Sequence, residues 1–162
     1  KVHFQNSTFI NSSFNHIDMT DVIFENCNFS NARMPRGIMH RVTFQDCKLL
    51  GLDFSEATLG NVSFENCDVN LSNFSDARLK QVNFVHSSLT SANFFDSKLA
   101  KVEFNYSDLN NVDFTETVLK GIDISTSTFE QINVSLESLN GCIVSSEQAL
   151  GFSKLLGLKV VE

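Results

Sequence analysis

The hexapeptides VIFENC (22–27), VTFQDC (42–47) and VSFENC (62–67) are one phrase written three times, twenty residues apart. A shorter interval lies inside that one. Divided into fives from Lys1, the chain reads KVHFQ NSTFI NSSFN HIDMT DVIFE NCNFS and keeps its frame to GCIVS at 141–145. The fourth residue of a block is apolar in 29 of 29 cases: 14 Phe, 8 Leu, 3 Met, 3 Val and 1 Ile. With 42% hydrophobic residues overall, chance agreement is about one in 10¹¹. The second residue is small or aliphatic in 28 of 29 blocks, Glu137 being the exception, and the other three positions are mostly polar.

A helix of 3.6 residues per turn would carry a five-residue stripe round its cylinder, and a strand has a period of two. A chain that turns a corner every five residues and closes a square coil every four blocks satisfies the pattern. Residues twenty apart then stack. Cys27, Cys47 and Cys67 form an interior column continued by Ser87, Ser107 and Ser127, beside a Val column at 22, 42, 62, 82 and 102. Phe24, Phe44, Phe64, Phe84 and Phe104 stack on one side, and Leu59, Leu79, Leu99 and Leu119 on the opposite one. Like on like fills each layer of a narrow core evenly. At about 4.8 Å between strands, about seven coils make an all-β solenoid about 34 Å long.

The pattern Ala/Cys/Ser, Asp/Asn, Phe/Leu, any, any, seen in NCNFS (26–30) and SANFF (91–95), resembles the pentapeptide-repeat family. That resemblance implies a right-handed quadrilateral parallel β-helix over residues 1–145. Pro35, the single proline, falls at an outward position where it predicts a lost ladder donor and a local irregularity.

Chemistry is sparse. His3, His16, His40 and His86 fall on four different columns, and no phosphate loop, nucleophile motif or metal spacing occurs. The expectation is a protein that is not an enzyme, with no metal and no cofactor. Cys27, Cys47, Cys67 and Cys142 occupy the small inward position, where Ser and Ala also stand, so they read as core residues; free thiols point to a reducing cytoplasm. Eight Asn-X-Ser/Thr triplets follow from composition and would matter only in a secreted eukaryotic protein. No run of 18 apolar residues suggests a membrane span.

The charge is informative. Nineteen acidic residues against twelve Lys and Arg give a net −7. Sorted by coil position, one side carries Glu25, Asp46, Glu65, Glu103 and Asp123 without a Lys or Arg. The next carries Asp68, Asp108 and Glu130 against Lys48; the third carries Asp53, Glu56, Asp76, Asp96, Asp113 and Glu116 against Arg33 and Arg36. The fourth side holds Arg41, Arg78, Lys80, Lys98, Lys101 and Lys120 against Asp18, Asp21 and Glu137. Glu56, Asp76, Asp96 and Glu116 form a column of like charges, which costs stability. B-DNA carries one phosphate per about 1.7 Å, hence about 20 along the rod, and the three acidic sides offer 14 carboxylates over the same length. That is an imitation of a duplex by line density. Phe95 follows an inward Phe94 and must point outward, beside Asp96, as an interface anchor.

After residue 145 the period ends, dividing a repeat domain (1–145) from a terminal segment (146–162). Ser145 with Gln148 fits a capping box, and Ala149, Phe152, Leu155 and Leu156 share a helical face before Gly157. Such a helix caps the open end of a solenoid. Its surplus of apolar groups, with Leu150 and Leu158, predicts a homodimer joined end to end, about 70 Å long. The run Leu139-Asn140-Gly141, Val144, Gln148-Ala149, Leu156-Gly157-Leu158 resembles the ending of the Qnr quinolone-resistance proteins of Gram-positive bacteria. That resemblance implies DNA mimicry: a dimeric rod in the DNA-binding saddle of DNA gyrase or topoisomerase IV, relieving fluoroquinolone poisoning, without direct nucleic acid or membrane binding. The expected contact surface is Asp53, Glu56, Glu65, Asp68, Asp76, Phe95, Asp96, Glu103, Asp108, Asp113 and Glu116. The alternative is an acidic scaffold for a different protein partner.

Overall fold

A computed structural model describes residues 1–161. Seven parallel strands form one sheet: β1 (Val2–Gln5), β2 (Asp18–Glu25), β3 (Ile38–Gln45), β4 (Thr58–Glu65), β5 (Arg78–Val85), β6 (Lys98–Ala100) and β7 (Glu103–Asn105). Each pairs with the strand twenty residues on, as in Val22↔Val42↔Val62↔Val82 and Phe24↔Phe44↔Phe64↔Phe84. The sheet bends through the left-handed corners Asp21, Arg41, Asn61 and Gln81 and so covers two adjacent sides. This corrects one expectation: the Leu59, Leu79, Leu99 column lies beside the Phe64 and Phe84 column, not opposite it. The other sides are joined by single bridges in the same register, from Thr8↔Asn28 to Asp108↔Thr128 and from Ser13↔Arg33 to Asp113↔Asn133. The extended ladder spans about five turns, and the bridges carry the coil beyond it. The fold is the right-handed quadrilateral parallel β-helix expected from the five-residue period.

The corners explain the polar half of the period. The first residue of every block from Asn6 to Gly121, 24 in succession, has a positive φ of 48 to 77°. Asn, Asp and Gly tolerate the left-handed region best, and they hold 13 of those positions. At Gly51 a side chain is also blocked, because a Cβ would stand 2.6 Å from Asn31 Oδ1. The third residue locks the next corner. Asn28, Asp53, Asp68, Asn73, Asn93, Asp108, Asp113 and Asp123 each accept a hydrogen bond from the backbone N–H two residues on, at 2.8 to 3.1 Å. These are Asx turns.

Inside, Phe rings from successive coils stack at 4.7 to 5.2 Å along Phe44, Phe64, Phe84 and Phe104. A second stack, Phe54, Phe74, Phe94 and Phe114, meets the first edge-on, with Phe64 and Phe74 at 89°. Edge-to-face contacts between offset stacks are the arrangement aromatic quadrupoles favour. The thiol column behaves as its Ser members do. Cys47 Sγ donates to Phe24 O and Cys67 Sγ to Phe44 O, and Ser87 and Ser107 make the same bond to Phe64 O and Phe84 O. All four cysteines are free. Burial pushes the Cys27 thiol up, contact with Cys47 and then burial push Cys67 up, and burial raises Cys142 to about 11.

Two other expectations need correction. Pro35 causes no irregularity: Pro35 O still accepts from His16 N, Arg36 N donates to Ser55 O, and Arg36 keeps the left-handed corner. The N–H at this block position normally turns back to an Asx side chain, so proline removes nothing from the ladder. The frame also loosens before residue 145. After Gly121 the left-handed corners lapse at Thr126, Gln131 and Leu136, and a short helix α1 (Leu136–Leu139) replaces a coil side. A β-branched Thr126 disfavours positive φ, and Glu137 is exposed while Ser138 is buried in its place. Beyond it, α2 (Ser146–Phe152) starts with the reciprocal Ser145/Gln148 capping box and runs into a 3₁₀ turn (Ser153–Leu156) ended by left-handed Gly157. Gln148 Nε2 ties α2 to the last coils by donating to Ile124 O and Ser127 O.

Candidate interaction surface

Eight of the ten predicted acidic residues fall into two structural classes, with Glu65 and Glu103 apart from both. Asp53, Asp68, Asp108 and Asp113 are half-buried on the sides, each with a carboxylate oxygen engaged by the turn it closes. Glu56, Asp76, Asp96 and Glu116 stand exposed at corners of positive φ. Their backbone N–H groups bond one coil to the next, Glu56 to Ser75 O, Asp76 to Phe95 O and Asp96 to Thr115 O, so the column is in register. Glu65 accepts from Ser63 Oγ at 2.7 Å and Glu103 from Asn105 Nδ2 at 2.9 Å. On that first side Glu65 pairs with Val85, so its carboxylates alternate with neutral groups.

The column is not uniformly bare. Arg36 grips Glu56 with two hydrogen bonds of 3.1 and 3.2 Å, and Arg33 lies 3.7 Å from Asp53. Their twenty-residue separations were visible in the sequence and are the signal that pairs them. Contact with the Arg41 guanidinium likewise holds the Asp21 carboxyl below its ordinary range, through bonds of 2.6 and 2.8 Å. Glu25 is lowered by hydrogen bonds from Gln5 and His3. Asp76, Asp96 and Glu116 have no side-chain hydrogen-bond or ion-pair partner among the described residues. Phe95 is 41% exposed beside them.

Sequence reasoning placed the lysines apart from this column. The structure sets them next to it. Asp96, Ser97, Lys98, Leu99, Glu116, Val118 and Lys120 line one shallow groove along the shared edge. A second depression, lined by Leu59, Leu79 and Leu99 with Gly60 and Ala100, carries Arg78, Lys80 and Lys98 around it. Arg78, Lys80, Lys98, Lys101 and Lys120 form no ion pair among the described residues.

At the terminal end Leu150, Leu155, Leu156 and Leu158 are exposed, and an apolar groove of about 260 Å³ lies between α1, the last coil and α2. Phe152 differs from the other four, turning inward against Phe129 with ring centroids 5.7 Å apart. Among the described residues no helix is long and apolar enough to cross a membrane.

The family description "Pentapeptide repeat region" matches residues 37–114, and "Pentapeptide repeats" matches residues 1–37. The chain belongs to the pentapeptide-repeat family. Among solved structures, this pentapeptide-repeat protein is similar to full-length QnrB1, a plasmid-mediated fluoroquinolone resistance protein, with a TM-score of 0.53 and 17% identity. The match covers 96% of this chain and 90% of that one. HetL, a pentapeptide-repeat protein involved in heterocyst differentiation regulation in the cyanobacterium Nostoc, gives a TM-score of 0.45 and 13% identity over 89% of this chain and 84% of that one. At these identities the likeness is one of fold. No curated protein matches the chain by sequence.

Proposed function

We propose that this protein is a DNA mimic that binds bacterial type II topoisomerases, DNA gyrase or topoisomerase IV, and protects them from fluoroquinolones without catalysing a reaction. The observation that carries this reading is the free-standing edge column Asp76, Asp96 and Glu116 on a rigid, loop-free rod. With the carboxylates of the neighbouring sides it offers a line of negative charge comparable to that of a duplex, about one phosphate per 1.7 Å. A saddle that holds DNA by its backbone reads charge spacing rather than bases. The Qnr-like ending points to the same partner. The reading includes a cytoplasmic homodimer in which exposed Leu150, Leu155, Leu156 and Leu158 pair two rods about a twofold axis perpendicular to their length.

The deciding experiment is gyrase supercoiling under ciprofloxacin. Added protein restores supercoiling, and a variant with Asp76→Asn, Asp96→Asn and Glu116→Gln restores less while its melting temperature holds or rises, since neutralising the column relieves like-charge repulsion. No restoration at any protein concentration would remove the proposal.

One observation favours the second reading, an acidic scaffold for another protein. Asp53, Asp68, Asp108 and Asp113 have turn-locking duties that account for them without any partner. A pull-down from bacterial lysate separates the two, since the scaffold reading predicts capture without either topoisomerase.

A further inference from the structure

We infer that the cationic wall formed by β4, β5 and β6 is a docking surface for the acidic edge of a second copy of this chain, pairing rods side by side. It uses the acidic edge proposed above for topoisomerase binding, so the two contacts would compete, but its test reads self-association alone and does not depend on that reading. Its starting point is a failure of neutralisation. Arg33, Arg36 and Arg41 each reach a carboxylate one coil away. Arg78, Lys80, Lys98, Lys101 and Lys120 reach none among the described residues, although Asp76, Asp96 and Glu116 stand on the adjoining edge. The rod thus presents an acidic stripe and a cationic stripe together, each without a counter-charge.

The chemistry and relief of the two stripes are complementary. Beside the acidic edge stands an exposed aromatic ring, Phe95, which precedes Asp96 in the same coil and whose carbonyl accepts from Asp76 N one coil away. The cationic wall carries an apolar-floored depression opened by Gly60 and Ala100 and ringed by Arg78, Lys80 and Lys98. Symmetry then selects one arrangement. A twofold axis parallel to the rods lays the acidic edge of each copy over the cationic wall of the other at the same height. A twofold axis perpendicular to them, lying in the contact plane, lays acid on acid. The parallel pair is therefore the favoured one. Nucleic acid is the poorer occupant for this wall, because the chain carries a net −7 and would repel phosphate on its other sides.

Each exposed ion pair contributes little, so the pair is weak and salt-labile. At about 0.1 M salt the Debye length of about 10 Å damps repulsion between the two net charges while leaving contact pairs largely intact. Near 1 M, at about 3 Å, the contact pairs are screened as well. If the terminal helices also join rods end to end, the two perpendicular twofolds close a four-chain assembly rather than a filament.

Size-exclusion chromatography with light scattering at about 0.1 M and about 1 M salt tests this in the whole protein. The expected result is a mass that halves on going to high salt. A Leu155→Glu, Leu156→Glu variant removes the end-to-end joint and still halves, from two chains to one. Lys80→Glu with Lys98→Glu abolishes the low-salt species, as does Asp76→Lys with Asp96→Lys. Lysine is tolerated at such corners, because Lys101 already holds one with a φ of 54°. Mixing the two charge-reversed proteins restores the low-salt species as a mixed pair. A mass independent of salt, or no mixed pair between the reversed variants, overturns the inference.

Discussion

The first three coils and the next three share a core and differ in what they do with charge. In the first half every arginine is tied to a carboxylate, Arg33 to Asp53, Arg36 to Glu56 and Arg41 to Asp21. In the second half Asp76, Asp96 and Glu116 stand bare along one edge, and Arg78, Lys80, Lys98 and Lys101 stand bare beside them. The interior takes no part in the difference. Phe24 and Phe44 stack at 5.1 Å in one half, and Phe84 and Phe104 at 5.2 Å in the other. A solenoid's stability is a sum of repeats and their nearest-neighbour contacts. Its outward positions are therefore free to vary coil by coil, and the proposed interaction surface is the stretch where Asp76, Asp96 and Glu116 remain unpaired.

The largest effect tests the shared core. Phe44→Ala and Phe84→Ala each remove a fully buried ring and are expected to cost about 3–5 kcal/mol in urea unfolding. The two losses should agree within about 1 kcal/mol, inside the usual context scatter for one chemistry. A much larger loss in either half would mean that packing, and not surface charge alone, separates them.

The intermediate effect tests the charge contrast itself. Asp96→Asn removes a free carboxylate and is expected to weaken gyrase binding about fivefold, with a reduced salt dependence, as for a rim charge that steers encounter. Glu56→Gln, in the same column, removes a carboxylate that Arg36 already holds and should change affinity less than about twofold. Surface plasmon resonance at two salt concentrations measures both. Equal losses would show that the Arg36 contact does not neutralise Glu56 and that the halves are alike to a partner.

How much of this could be read beforehand depends on what fixes each feature. The coil, its columns and the interchange of Cys with Ser follow from period alone, because one geometry satisfies a repeat of five and of twenty. The alignment of Glu56 with Asp76, Asp96 and Glu116 was legible for the same reason. Their isolation was not, since whether an arginine reaches across a coil is set by side-chain reach at an exposed corner, as Arg36 and Arg78 show. The side-lining aspartates have a second role that their charge alone does not reveal. Asp53, Asp68, Asp108 and Asp113 raise the negative charge, yet the turn each closes would accept asparagine, as Asn28, Asn73 and Asn93 demonstrate. The lapse of the coil near residue 130 had a sign in the sequence: Thr126 at a corner and Glu137 at an inward position break the pattern just where α1 replaces a coil side.

The smallest effect tests the corners, which join the halves and make every column straight. Leu71 is the sole aliphatic residue among the 24 corners, with a φ of 59°, and it is 63% exposed. An L-residue in the left-handed region is strained by about 1–2 kcal/mol, and asparagine is strained least after glycine. Leu71→Asn relieves that strain while giving up little burial, so it should stabilise the protein by about 0.5–1 kcal/mol. The reverse exchange at an equivalent corner, Asn111→Leu, should destabilise it by a similar amount. Both are within reach of urea midpoints measured side by side. If Leu71→Asn is neutral and Asn111→Leu costs nothing, corner identity does not set the coil. The in-register column of Asp76, Asp96 and Glu116 would then need a cause other than the left-handed turn at every fifth residue.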